Sequence, residues 1–289
     1  MSDVFEELKW RKFNVLDKGW VCLVDKMGDD AAIIAAARTS YGEGTKKISD
    51  EETLLRYLMR HDHSSPFESC QIKLQMRLPI FVERQKARHR TAGWNEVSGR
   101  YSELPEEFYV PEAEDIKAQS ATNKQGRGDS LNEMIVAGFQ AKCRESGEHA
   151  FEEYRTSLSN GVAREVARIN LPLSTYTEKV WWINLRNMLH FLALRMAPDA
   201  QLEIREYATI IGEQIVKPLF PATWQAFLDY RLNAMQLTAL DIGVIQKMGG
   251  EKENRAGFEQ ACPAQWQAER CREREECWEK LLKLGVVFE

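Results

Sequence analysis

Ile72, Leu74, Met76 and Leu78 alternate with Lys73, Gln75 and Arg77, and this period of two predicts a strand over 69–78. Residues 13–27 alternate around Lys18-Gly19, predicting a strand or hairpin. An acidic cap at Asp29 or Asp30 opens a helix that runs to Arg38. Ser49-Asp50-Glu51-Glu52 is a capping-box-like entry to a second helix, with Leu54, Leu55, Leu58 and Met59 on its apolar face. Residues 61–67 read as a loop stopped by Pro66. Pro79 opens a further helix on which Arg84 and Arg88 share a face, as do Gln85 and His89. Residues 94–101 should leave that helix as a loop.

Residues 112–130 are rich in Gln, Asn, Gly, Lys and Asp, the composition of a flexible surface loop or insertion. A helix is expected over 130–159, interrupted near Gly147. A second begins near Asn160, placing Arg164 and Arg168 on one face, and Leu171-Pro172-Leu173 ends it. Residues 176–196 are apolar nearly all round, which predicts a helix buried in a large core or an oligomer. At 100° per residue, Asn184 and Arg195 fall about 20° apart, and Arg186 and His190 about 40° apart on the opposite side. Buried cations need partners, so a helix serving two sites at a subunit interface fits this pattern. Another helix follows over 199–217, ended by Pro218 and Pro221. The charge-dense stretch 251–280 reads as one amphipathic, mostly solvated helix. The expected division is a catalytic domain over 1–232 and a charged helical extension over 233–289.

Composition narrows the class. At 44% hydrophobic and 29% charged residues, the chain has the balance of an ordinary globular protein. No apolar run reaches the roughly eighteen residues of a membrane span, and the start lacks the pattern of a signal peptide. A cytoplasmic location is therefore expected. A net charge of -5 argues against a dedicated nucleic-acid binder. Cysteines 22, 70, 143, 262, 271 and 277 show no Cys-x-x-Cys pair and read as reduced, incidental thiols. His61, His63 and Glu68 could hold a metal by spacing, but no third histidine is near, and none is expected.

Against that acidic background, Arg84, Lys86, Arg88, Arg90 and Arg100 crowd into one short segment. Guanidinium forks match phosphate oxygens, and Asn95, Glu96 and Ser98 add groups able to read a heterocycle. Phosphate and base together suggest a nucleotide. Ser98 could be taken for a nucleophile, which would need an adjacent base. No Gly-x-Gly-x-x-Gly run supports a Rossmann cradle.

Arg88-His89-Arg90 followed by Ser98 resembles the signature of the flavin-dependent thymidylate synthases. Four further blocks match in the family's order: Ala37-Arg38-Thr39-Ser40-Tyr41; His61 to Glu68; Arg164 to Pro172; and Asn184, Arg186, His190, Phe191 and Arg195. The similarity covers roughly residues 13–230. It implies an α/β (α+β) subunit, mixing helices with antiparallel sheet around a long buried central helix. It implies FAD contacts at Ser40, His63, Ser65, Arg88, His89, Arg90, Glu96, Asn184, Arg186 and His190. Deoxyuridine monophosphate would meet Gln85, Arg88, Glu96, Ser98, Gly99, Arg100, Arg168 and Arg195, with Ser98 positioning rather than attacking. Arg195 would be catalytic, polarising the uracil. The implied co-substrates are 5,10-methylenetetrahydrofolate and NADPH, and the implied assembly is a homotetramer with active sites at subunit interfaces.

Overall fold

Asp29 and Asp50 each turn a carboxylate onto the backbone at the start of a helix, Asp29 accepting from Ala32 N at 2.9 Å and Asp50 from Thr53 N at 3.0 Å. The computed structural model describes residues 4–39, 50–121, 124–249, 253–267 and 271–287. Its contacts separate two units, Met1–Leu232 and Asn233–Glu289.

The strands described are β1 (Lys12–Val15), β2 (Gly19–Met27), β3 (Gln71–Pro79), β4 (Gly93–Glu96), β5 (Lys117–Gln119), β6 (Arg127–Ser130) and β7 (Tyr176–Asn184). Five form an antiparallel sheet in the order β1-β2-β3-β7-β4, while β5 and β6 pair separately. The alternation in β3 is realised, with Ile72, Leu74, Met76 and Leu78 buried. Helices in the first unit are α1 (Val4–Leu8), α2 (Asp30–Arg38), α3 (Glu51–Arg60), α4 (Ser65–Glu68), α5 (Ile80–Lys86), α6 (Glu133–Ser159), α7 (Arg164–Ala167), α8 (Leu185–Arg195), α9 (Leu202–Ile210), α10 (Lys217–Leu219) and α11 (Pro221–Phe227). The buried sheet residues join Leu55, Phe191, Leu192, Tyr207, Ile211, Phe220 and Phe227 in one core. Each such side chain contributes about 1.5–3 kcal/mol of burial free energy. The mixed helix and antiparallel-sheet class expected from the sequence is the one observed.

Several local expectations change. Residues 176–196 are not one helix: 176–184 form β7, and only Leu185–Arg195 is helical. The strand lies between β3 and β4 and carries Val180, Trp181, Trp182 and Ile183, types that favour pleated surfaces. A strand carrying apolar side chains on both faces loses its alternation and reads like a buried helix. Residues 93–96 are an edge strand rather than a loop; Gly93 pairs with Trp182, whose ring lies 2.3 Å from where a Cβ on residue 93 would stand. Helix α6 runs unbroken through Gly147, which is glycine because the Phe108 ring lies 2.6 Å from its would-be Cβ. Residues 65–68 form a short helix, and part of 112–130 forms the β5–β6 hairpin. Helix α5 ends at Lys86, so Arg88 and His89 lie beyond it and its face pairing does not extend to them. Ser49 of the capping expectation lies outside the described residues.

The second unit has helices α12 (Ala239–Lys247), α13 (Arg255–Ala261) and α14 (Arg272–Lys283) around its own core of Val244, Phe258, Trp266, Cys277 and Leu281. The single solvated helix expected over 251–280 is thus two, because Cys262-Pro263 leaves the helix with extended backbone. All six cysteines are free thiols.

Candidate functional site

Strand β7 passes straight into α8 at Asn184, whose side chain accepts from Asn187 N at 2.9 Å and caps the helix. The next turns of α8 present Arg186, Asn187, His190, Leu194 and Arg195 to a cleft of about 340 Å³. The opposite wall is Arg88, His89, Arg90 and Thr91, the residues that follow α5. Arg186, His190 and Arg195 therefore line one cleft of this subunit.

Among the described residues the cleft contains four guanidinium groups and no carboxylate, and no ion pair neutralises any of the four. Inside an acidic protein, this leaves a cationic lining open to an anion. Arg195 Nε donates to His89 Nε2 at 3.1 Å. The geometry requires a neutral imidazole with its proton on Nδ1. Burial, followed by the neighbouring Arg195, His190 and Lys86, pushes His89 down to about 4, so the bond persists at neutral pH. Burial also lowers the Arg195 guanidinium from its ordinary value, but it remains a cation. Its Nη groups have no partner among the described residues. His89 is held in place by Phe191, with ring centroids 5.0 Å apart in an edge contact, and Phe191 meets Trp181 in the same way at 5.3 Å. Glu203 does not pair with Arg195; it takes Arg127, Tyr109 and Gln201.

The other expected residues among those described do not line this cleft. Glu96 is held from behind, its Oε1 accepting from Thr177 Oγ1 at 2.7 Å and its Oε2 3.7 Å from Lys179 Nζ. Gln85 donates to the Gln201 side chain. Ser98 Oγ accepts from Arg100 N at 3.3 Å, with no activating base bonded to it among the described residues. Gly99 is buried, with the Arg168 side chain only 3.0 Å from its would-be Cβ. That contact joins the expected nucleotide segment 98–100 to Arg168. Arg100 itself pairs with Glu165 at 3.2 Å on the surface. His61 and His63 flank Tyr57, at centroid distances of 4.4 and 5.6 Å, and Ser65 begins α4. Ser40 lies outside the described residues. No group of three or more metal-binding side chains occurs among the described residues.

Sequence reasoning missed a buried network beside the site. Lys86 sits 4.3 Å from the centroid of the Trp181 ring and 3.3 Å from Glu83 Oε2, while Glu83 Oε1 accepts from Lys179. The i, i+3 spacing of Glu83 and Lys86 is visible in the chain. Lys179 comes from a strand far along it, and nothing local announces the pairing.

Residues 22–222 match the family of the thymidylate synthase complementing protein. The flavin-dependent thymidylate synthase of Gluconobacter oxydans is 48% identical, over 85% of this chain and 82% of the relative. That of Anaplasma marginale is 47% identical, over 86% of this chain and 85% of the relative. Among solved structures, the UMP/dUMP methylase PolB from Streptomyces cacaoi, bound with 5-Br UMP, superposes with a TM-score of 0.68 at 35% identity, covering 76% of this chain and 98% of PolB. A matching family across most of the chain, relatives at nearly half identity and a shared fold lead to one conclusion: the chain belongs to the flavin-dependent thymidylate synthases.

Proposed function

We propose that the protein converts deoxyuridine monophosphate to thymidylate, with 5,10-methylenetetrahydrofolate as carbon donor, NADPH as reductant and FAD as cofactor. The observation that carries this reading is the carboxylate-free cleft in which Arg88, Arg90, Arg186 and Arg195 meet two histidines. Its donor set suits a dinucleotide: guanidinium forks for the pyrophosphate, and imidazole edges for a ring. Arg88, His89, Arg90, Asn184, Arg186 and His190 would hold FAD, with Ser40, His63, Ser65 and Glu96 completing the contacts. When bound, the flavin supplies the redox chemistry.

The chain's own residues bind, orient and polarise. Gln85, Ser98, Gly99, Arg100 and Arg168 would hold the nucleotide, joined by Arg88 and Glu96. Arg195, with its Nη edge free, would face the uracil and stabilise negative charge on its carbonyl and N3, raising the nucleophilicity of C5. Neutral His89 keeps the guanidinium aimed without competing for that charge. Ser98 positions and forms no covalent bond.

The cleft is near the lower limit for small-molecule sites, and Leu194 on its wall is 49% exposed. Both features fit a homotetramer in which neighbouring subunits finish each site. Six free thiols suit a reducing, cytoplasmic setting. No helix among the described residues is long and apolar enough to cross a membrane.

PolB is described as acting on UMP as well as dUMP, so acceptance of the ribonucleotide is the second reading. The test is a purified protein that is yellow, whose flavin absorbance bleaches with NADPH, and which transfers labelled carbon from methylenetetrahydrofolate to dUMP. Running UMP in parallel separates the two readings. A colourless protein that cannot be reconstituted with flavin would refute the proposal.

A further inference from the structure

Glu203, in the first turn of α9, is 3% exposed and gathers donors from two distant parts of the first unit and from Gln201 at the start of its own helix. Its Oε1 accepts from Arg127 of β6 and from the Tyr109 hydroxyl at 3.3 Å. Its Oε2 accepts from the Gln201 amide at 2.8 Å. Gln201 receives in turn, through its own Oε1, the side-chain amide of Gln85 on α5.

The directions along this chain are fixed. A carboxylate paired with a guanidinium only accepts, and Glu203 is paired with Arg127. Gln201 must therefore turn its NH2 toward Glu203, which turns its carbonyl oxygen toward Gln85. Gln85 can answer only with its own NH2, and its Oε1 is left as an acceptor. A free amide can flip at little cost, whereas one tied to a buried carboxylate cannot.

We propose that Glu203 is a positioning residue of the nucleotide site. Acting through Gln201, it holds Gln85 with the carbonyl oxygen presented, so that Gln85 selects a nucleotide by a hydrogen-bond donor on it. This rests on the reading of Gln85 as a contact to deoxyuridine monophosphate. Two donors of that ligand qualify: the imide N–H of the uracil and the sugar hydroxyl. Where the imide N–H is the donor read, a cytosine ring, with an acceptor in its place, would be repelled at this point. The β5–β6 hairpin then has a task, since its Arg127 completes the anchor.

The test uses the flavin-loaded enzyme and calorimetric titration with dUMP. Gln201 is exposed, so Gln201→Ala breaks the relay without emptying a buried position. It and Glu203→Gln should each weaken binding by about five- to tenfold, with flavin content unchanged. In a Gln85→Ala background neither should weaken it further, a non-additivity that a merely structural role would not produce. Of two analogues, one methylated at the imide nitrogen and one lacking the sugar hydroxyl, the one missing the recognised donor should bind wild type and Gln201→Ala equally. Wild-type affinity in Gln201→Ala, or additive losses in the double variant, would overturn the relay, and Gln201→Ala decides the matter even if Glu203→Gln fails to fold. A wild-type enzyme that does not bind dUMP would overturn the nucleotide reading and the relay together.

Discussion

Lys86 and Arg88 are near neighbours in the chain with opposite surroundings. Lys86 is buried, with Glu83 3.3 Å away and a tryptophan ring under its ammonium. Arg88 is exposed on a cleft whose lining has no carboxylate. The first cluster contains its own counter-charge, shared between Glu83, Glu96, Lys86 and Lys179. The second leaves four guanidiniums without one. Composition cannot distinguish the two, because both are simply basic. The location of the anion can: a cation paired inside the fold serves the fold, and a cation left unpaired in a cleft is available to a ligand.

Substitutions can break this contrast. The largest effect is expected for Arg195→Ala, which should lower thymidylate formation by about a thousandfold or more while retaining bound flavin by absorbance. Near wild-type turnover would remove Arg195 from the chemistry. Next is Glu83→Ala, which leaves two buried lysines without their shared anion and should cost about 3–5 kcal/mol in denaturant unfolding. Arg90→Ala should change stability by less than about 0.5 kcal/mol and instead weaken flavin retention. If both variants destabilise equally, the contrast between the clusters fails.

The smallest effect is a pH dependence. Burial pushes Lys86 down to about 7 from 10.5, against the opposing pull of Glu83. Between those values the unfolded chain holds a proton that the folded chain lacks, so this residue makes stability rise with pH across that window and adds no slope below it. Relative to Lys86→Met, wild type should gain up to about 1.4 kcal/mol per pH unit between roughly pH 7.5 and 9.5. Parallel stability curves for the two proteins would show that Lys86 does not titrate there.

The parts of this molecule legible in the sequence were those set by local chemistry. Asp29 and Asp50 cap helices through neighbouring amides, and β3 shows its buried face in its alternation. The basic run at 88–90 was visible as a departure from the acidic background, and Arg186, His190 and Arg195 through the family resemblance. What was hidden depends on distant partners. β7 read as a helix because a strand with apolar side chains on both faces has no polar face to mark it. Gly147 looked like a break because Phe108, which occupies its missing Cβ, lies far away in the chain. Lys179 and Glu83 are separated by 96 positions, so their pairing exists only once β7 has found its place in the sheet.

The junction between β7 and α8 has no linker: Asn184 ends the strand and Leu185 begins the helix, with Leu185 N bonded to Cys70 O at 2.8 Å. The sheet therefore acts as an index mark for the helix. An insertion or deletion of one residue there would rotate everything downstream by about 100° and carry Arg186, His190 and Arg195 out of the cleft together. The chain length across this junction therefore sets the aim of all three side chains at once.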